Sequence, residues 1–274
     1  MLILDNHIVL AEIDGRARVT KSNMVIEAHY KLSLHEQKFI LLMTSKIQPE
    51  DTEFMLYKFG VQEIINVLGM DKHKGAHNTI RELARGLMHK ELRIKENNSF
   101  LLTTWVSSVE YFNDGTIEFE FSQKLKPYLL QLNRDFTTYK IKNVLQLKST
   151  FSIRIYEFLK QYEKLGKRVI SIEQLREMLG VTVDEYRLYG DFKRKVLLVA
   201  QQELQQKTDI GFTFNEVKTS RRITHAEFII LSKSNLKPTL QKPFNSPCVV
   251  TQSTLSEKIQ EIIARYPKAT LIED

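Results

Sequence analysis

The chain repeats itself once. Residues 60–70 read GVQEIINVLGM and residues 171–181 read SIEQLREMLGV. Aligned, Val61 meets Ile172, Gln62 meets Glu173, Glu63 meets Gln174, Ile64 meets Leu175 and Val67 meets Met178. Each copy then closes on Leu-Gly and an apolar residue, Met70 or Val181. The copies lie too far apart for a solenoid, whose period is about 20–50 residues. The echo predicts a duplicated domain instead. Each copy reads as a short helix, because a glycine after the last turn can take positive φ and stop it while the following apolar residue folds back.

The flanks repeat as well. Before the first copy, KLSLHEQKFILLMTSKI carries a capping box at Ser33 and Glu36, then Phe39, Leu42, Met43 and Ile47 at helical spacing. Before the second copy, STFSIRIYEFLKQYEKLGKRV places Ile153, Tyr156, Leu159 and Lys160 at the same spacing. After each copy comes a third helix. Ile80, Leu83, Ala84 and Leu87 share a face in the first, and Phe192, Val196, Val199, Ala200 and Leu204 share one in the second. The period then changes to two, through RIKENNSFLLTTWVSSVEYFNDGTIEFEF with NDGT as a hairpin turn, and through IGFTFNEVKTSRRITHAEFIIL with KTSRR as its tip. Strands over 54–60 and 167–172 fit between the first two helices of each set. Helix, helix, helix, β-hairpin, twice over, is the order of two winged helices. The fold class expected is α+β, mainly helical, with tandem duplicated winged-helix domains.

The boundaries follow from the pattern. Residues 1–25 read as an N-terminal arm, 26–135 as the first winged-helix domain, 136–150 as a connector and 151–232 as the second domain. Residues 233–253 are proline-containing and aperiodic, a linker. Residues 254–274 hold a short helix, with Thr254 and Glu257 as its capping box and Leu255, Ile259, Ile262 and Ile263 as its stripe.

Lys and Arg number 40 against 33 acidic residues, a net charge of +7, which favours an anionic partner such as nucleic acid. The single cysteine, Cys248, allows no internal disulfide. The opening MLILDNHIVLAEIDGR lacks a basic leader, and no run is long and apolar enough to span a bilayer. A cytoplasmic protein with no membrane contact is expected.

The candidate chemistry lies on the third helices. In a helix-turn-helix, the start of that helix enters the major groove. On a regular helix, Arg187, Asp191, Arg194, Lys195, Gln201, Gln202 and Gln205 fall opposite Phe192 and Val196, with Leu198 among them. Arg reads guanine, Gln can read adenine, and an apolar side chain can meet a thymine methyl. A solvated helix face would have no use for Leu198. At the second hairpin tip, Lys218, Arg221 and Arg222 suit flanking phosphates. The first domain offers Asn78, Arg81 and Arg85 on its third helix and Lys72 and Lys74 just before it, a set better suited to phosphate than to bases. No phosphate-binding loop, dinucleotide fingerprint or H-E-x-x-H is present. His73 and His77 are spaced like metal ligands but lack a convincing third partner, and the carboxylates form no acid/base pair. No cofactor, no metal and no enzymatic activity are expected.

KSNMVIEAHYKLSLHEQKFILL at 21–42, with YRLYGDFKRKVL at 186–197 leading into KTDIGFTFNEVK, resembles the initiator replication proteins of iteron-containing plasmids, over roughly residues 20–232. The resemblance implies two pseudo-symmetric winged helices. The second would read origin repeats through Arg187 to Lys195, a span that includes Tyr189 and Lys193. The first would contact the far end of the site and hold a dimer. It further implies double-stranded DNA and host replication helicase machinery as partners, a monomer–homodimer equilibrium, and repression of the protein's own gene by the dimer. Where the family often has proline, this chain has Leu198-Val199-Ala200, which predicts a straighter helix there. The alternatives are a tandem winged-helix transcription regulator and a winged-helix protein-interaction module.

Overall fold

The structure is a computed structural model that describes residues 17–70, 75–182 and 184–233, and the backbone of 7–9. The expected linker (233–253) and C-terminal helix (254–274) therefore lie outside the described residues, Lys233 excepted. The described chain belongs to one compact unit.

The first half opens with β1 (His7–Val9) and β2 (Arg18–Ser22). Ser22 then caps α1 (Asn23–Glu27), its hydroxyl accepting from the Met24 amide at 3.2 Å. After β3 (His29–Tyr30), the capping box starts α2 (Leu34–Thr44): the Ser33 amide donates to Glu36 at 2.7 Å and the Glu36 amide to the Ser33 hydroxyl at 3.3 Å. α2 is buried on every side from Glu36 to Thr44. β4 (Leu56–Gly60) leads into the first copy of the echo, α3 (Val61–Leu68), and the third helix follows as α4 (Ala76–Leu87).

The alternating segment behind α4 forms two hairpins rather than one. β5 (Glu91–Lys95) pairs with β6 (Phe100–Thr104) on one side and with β3 on the other, whereas β7 (Val106–Tyr111) and β8 (Thr116–Phe121) join β4 and β1 in the order β1-β4-β8-β7. Trp105, fully buried and packed edge-on to Tyr30 at 5.0 Å, divides them. The expected NDGT turn closes the second hairpin: Gly115 takes φ 81°, and Asp114 accepts from the Thr116 amide at 2.9 Å.

Beyond the short α5 (Lys126–Leu129), residues 136–150 carry β9 (Phe136–Lys140) and α6 (Lys142–Leu145). β9 pairs antiparallel with β2, so the expected arm and connector form a two-stranded sheet with each other. The second half comprises α7 (Thr150–Lys160), β10 (Lys167–Ser171), α8 (Ile172–Met178), a third helix over 189–207, and the long hairpin β11 (Ile210–Thr219) and β12 (Arg222–Ser232). β12 is central in the sheet β10-β12-β11. Strands occupy nearly as much of the described chain as helices, so the fold is α+β without being mainly helical. The difference comes from the extra hairpin and the β2–β9 pair.

α7 joins the halves and is buried from Ser152 to Leu159. Arg154, 5% exposed, donates to the Ala28 carbonyl at 2.7 Å and the Met178 carbonyl at 2.6 Å, and its guanidinium lies 3.7 Å from the Tyr30 ring centroid. Glu157 is buried with Lys21 as its ion-pair partner and accepts from the Tyr139 hydroxyl. His29 Nδ1 meets the Glu177 carbonyl at 2.8 Å, and Arg168 pairs with Glu27 at 2.7 Å.

The two Leu-Gly ends differ in what surrounds them. Gly69 (φ 69°) and Gly180 (φ 66°) both adopt the left-handed conformation. A Cβ on Gly69 meets nothing, whereas one on Gly180 would lie 2.5 Å from the Tyr30 carbonyl oxygen. Gly69→Ala should cost about 1–2 kcal/mol, the left-handed penalty alone. Gly180→Ala should cost distinctly more, because the junction must also open. Urea unfolding of both variants measures the difference, and equal losses would mean the contact at Tyr30 is soft.

Candidate nucleic-acid interface

The turn before the second third helix is braced from three sides. Gly180 ends α8. Arg176 donates to the Glu185 carbonyl at 3.1 Å and to the Tyr186 carbonyl, while its guanidinium lies over the Phe192 ring at 4.6 Å. Glu185 accepts from the Thr182 amide at 3.0 Å and pairs with Lys31 of the first half at 2.7 Å. Tyr186 sits at φ 50° in this turn. Arg176 occupies the position where the first copy has the buried Ile65. That mismatch in the repeat is the sequence signal for the brace, and residue types alone did not single it out.

The helix itself runs as α9 (Tyr189–Phe192), a π-helical turn (Lys193–Leu197) and α10 (Leu198–Lys207). Leu198-Val199-Ala200, where a straighter helix is expected from the missing proline, lie in the regular α10, and the irregularity is the π turn just before them. A π turn accommodates one extra residue, about 100° of helix phase. Leu197 is accordingly buried with Phe192, Val196, Ala200 and Leu204, while Val199, expected in the core, is 37% exposed beside Leu198 at 41%.

The candidate readers divide by their engagements. Arg187 and Arg194 are exposed and paired with Asp184 at 2.6 Å and Asp191 at 2.7 Å. Such surface pairs are worth about 0–1 kcal/mol, so an incoming phosphate or base edge can exchange for the carboxylate. Lys195 and Gln202 are exposed, and the Lys195 ammonium stands 5.8 Å from the Tyr186 ring centroid. Three others hold the hairpin. Gln201 donates to the Phe212 carbonyl at 3.0 Å, Lys193 pairs with Glu216 at 2.7 Å, and Tyr189 is half-buried beside the same carboxylate. The Lys193 ammonium keeps the Glu216 carboxyl below the usual range, against the opposing effect of burial. Burial and the facing Glu216 together push the Tyr189 hydroxyl above the ordinary phenol value.

At the hairpin tip, Lys218, Arg221 and Arg222 are exposed around Ser220, whose φ is 57°. The ladder shifts register between Val217 and Lys218. In the first half, α4 exposes Asn78, Arg81 and Arg85, with Arg85 on Glu82 at 3.3 Å and the Tyr111 hydroxyl donating to the Arg81 carbonyl at 3.0 Å. Lys72, Lys74 and His73 lie outside the described residues, and His77 is exposed. Among the described residues, no cluster of His, Cys, Asp and Glu is placed to hold a metal ion, and no helix is long and apolar enough to cross a membrane.

Residues 18–160 match the family described as "Initiator Replication protein, WH1", and residues 171–230 match "Initiator Rep protein, WH2". An Escherichia coli protein described only as an uncharacterized 27.6 kDa protein is 25% identical over 215 residues, covering 72% of this chain and 89% of that one. An Escherichia coli replication initiation protein is 24% identical over 189 residues, covering 64% of this chain and 57% of that protein. Among solved structures, the Pi initiator protein in complex with iteron DNA superposes with a TM-score of 0.65 at 20% identity, covering 80% of this chain and 99% of that one. At that identity the likeness establishes the fold.

Glu216→Gln should release Lys193 from the hairpin to face a polyanion. On random duplex DNA, the salt dependence of binding should steepen by about 0.9 in log–log slope, one additional phosphate contact. Fluorescence anisotropy across a salt series reads this, and an unchanged slope would mean Lys193 stays where it is. The stability that the pair contributes is present above the ordinary glutamate pKa and disappears as pH falls through the lowered folded value. The melting temperatures of the two proteins should therefore converge in acid.

Proposed function

The chain belongs to the initiator replication protein family, and from that premise we propose that it starts plasmid replication by binding repeated origin DNA. The observation that carries the reading is the face of the third helix in the second half. Arg194, Lys195, Gln202 and Leu198 are exposed there, Arg187 is exposed in the turn just before the helix, that turn is fixed by Arg176 and Glu185, and the basic tip at Lys218, Arg221 and Arg222 stands on the adjoining hairpin.

In this reading, residues 151–232 read bases and residues 26–135 grip backbone through Asn78, Arg81 and Arg85. Arg187 and Arg194 trade their carboxylates for the duplex, Leu198 and Val199 meet thymine methyls, and the hairpin tip holds phosphates at the edge of the groove. Tyr189, Lys193 and Gln201 position the helix against the hairpin. The protein acts in the cytoplasm by binding, without cutting DNA. Origin opening would follow from the bend and local untwisting that a bound array imposes on an adjacent AT-rich segment. Host helicase machinery would then be recruited, and a homodimer held by the first domain would repress the protein's own gene.

Arg194→Ala should weaken binding to the cognate repeat by about 1–3 kcal/mol and relax preference at one base position. Binding to random duplex should change far less. Paired titrations on cognate and scrambled repeats check this, and equal losses on both would remove Arg194 from base reading. A plasmid that replicates with the gene deleted would overturn the initiator role.

A further inference from the structure

An open cleft of about 610 Å³ lies between β2–β9, α6 and the C-terminal end of α10. Its walls carry Arg18, Lys140, Lys142, Lys160 and Lys207 against one carboxylate, Asp209. Two of these cations are engaged: Lys160 with Asp209 at 2.8 Å and Glu163 at 2.6 Å, and Lys207 with Glu203 at 2.7 Å. The Asp209 carboxylate also accepts from the Tyr156 hydroxyl at 3.0 Å, so its charge is spent locally. Arg18, Lys140 and Lys142 are exposed and pair with no carboxylate among the described residues.

The sheet makes this cluster costly when empty. Arg18 and Lys140 are directly opposed in the β2–β9 ladder, where like charges repel. Lys142 follows two residues on, at the start of α6. The helix end facing the cleft does not compensate, because its carbonyls are already capped. The Lys233 ammonium meets the Leu204 carbonyl at 3.3 Å, that of Gln205 at 2.5 Å and that of Thr208 at 2.7 Å, which neutralises the negative end of α10.

The cleft is lined by Gln206 and Lys207 at the last turn of the third helix, about 20 Å along the axis from Arg194 at 1.5 Å per residue and one turn beyond Gln202. The cleft's volume suits a small ligand. Its one lining aromatic, Tyr139, is buried and offers no face for a base to stack on.

We propose that this cleft binds a compact oligophosphate, a pyrophosphate unit either free or carried by a nucleoside diphosphate. The phosphates sit between Arg18, Lys140 and Lys142 and relieve their repulsion, and the carrier, if there is one, projects into solvent.

The test is thermal unfolding of the full chain with inorganic pyrophosphate and, separately, with ADP and GDP, each against sulfate at matched ionic strength. Pyrophosphate should raise the melting temperature with a saturable concentration dependence. A larger effect from a nucleotide identifies it as the carrier, and an equal effect identifies the bare pyrophosphate unit. The double variant R18Q/K140Q should lose at least about tenfold in pyrophosphate affinity while melting no lower than the parent when empty, because it removes an opposed like-charge pair. Lys142→Gln, outside the ladder, supplies the same comparison should the double variant fail to fold. An equal shift from sulfate, or an undiminished shift in both variants, would overturn the proposal. A loss of duplex DNA affinity by tenfold or more in R18Q/K140Q would also overturn it, by assigning the cleft to the DNA backbone.

Discussion

One guanidinium ties the halves of this molecule together. Arg154 is sealed inside α7, where a lone charge would be strongly disfavoured. Its Nη2 donates to the Ala28 and Met178 carbonyls and its guanidinium lies over the Tyr30 ring, while Nε and Nη1 are buried without a hydrogen-bond partner among the described residues. One of those carbonyls belongs to each half. The same face holds Glu157 between Lys21 and Tyr139, so a second buried charge needs strand β2 on one side and α7 on the other. Separating the halves would strip Arg154 of a carbonyl from each half and Glu157 of Lys21, interactions that a dry interior strengthens. The close approach of Gly180 to Tyr30 follows from that constraint: two backbones are drawn together where only a residue without a Cβ fits.

Much of this architecture was legible in the chain. The Leu-Gly echo predicts α3 and α8, and both glycines are left-handed as a helix stop requires. The capping box at Ser33 starts α2 where the spacing places it, and the Ser171 hydroxyl caps α8 by accepting from the Gln174 amide. Local rules succeed here because the signal and its consequence lie within one helical turn. The failures are non-local. Period-two alternation cannot tell whether a strand run forms one hairpin or two, and the division at Trp105 is set by its packing on Tyr30, far off in sequence. The β2–β9 pair joins segments more than a hundred residues apart, and neither carries a hairpin signal.

The reading face shows a similar split. Exposure of Arg194, Lys195, Leu198 and Gln202 follows from the periodicity, since an amphipathic helix exposes what its core face excludes, whereas Arg187 lies in the turn before the helix. The engagement of Gln201 and Lys193 with the hairpin does not, because Phe212 and Glu216 enter only once the hairpin folds back. The acidic residues near the arginines sharpen the point. In composition they merely dilute the charge, yet Asp184 and Asp191 pair with Arg187 and Arg194 in exposed, readily exchanged contacts. Net charge of +7 states how strongly the chain attracts a polyanion, and these pairs determine which cations are presented in a defined geometry.

The π turn at Lys193–Leu197 makes the third helix two modules with a phase break between them. Loss of one residue within the turn would restore a regular helix and rotate one module by about 100° relative to the other. Both modules keep their own anchors, Phe192 on one side and Ala200 with Leu204 on the other. Single-residue insertion and deletion thus act here as a dial. They swing the arginine-bearing end past the Leu198–Val199 end in discrete steps, a route to new surface combinations that point substitution cannot reach one residue at a time.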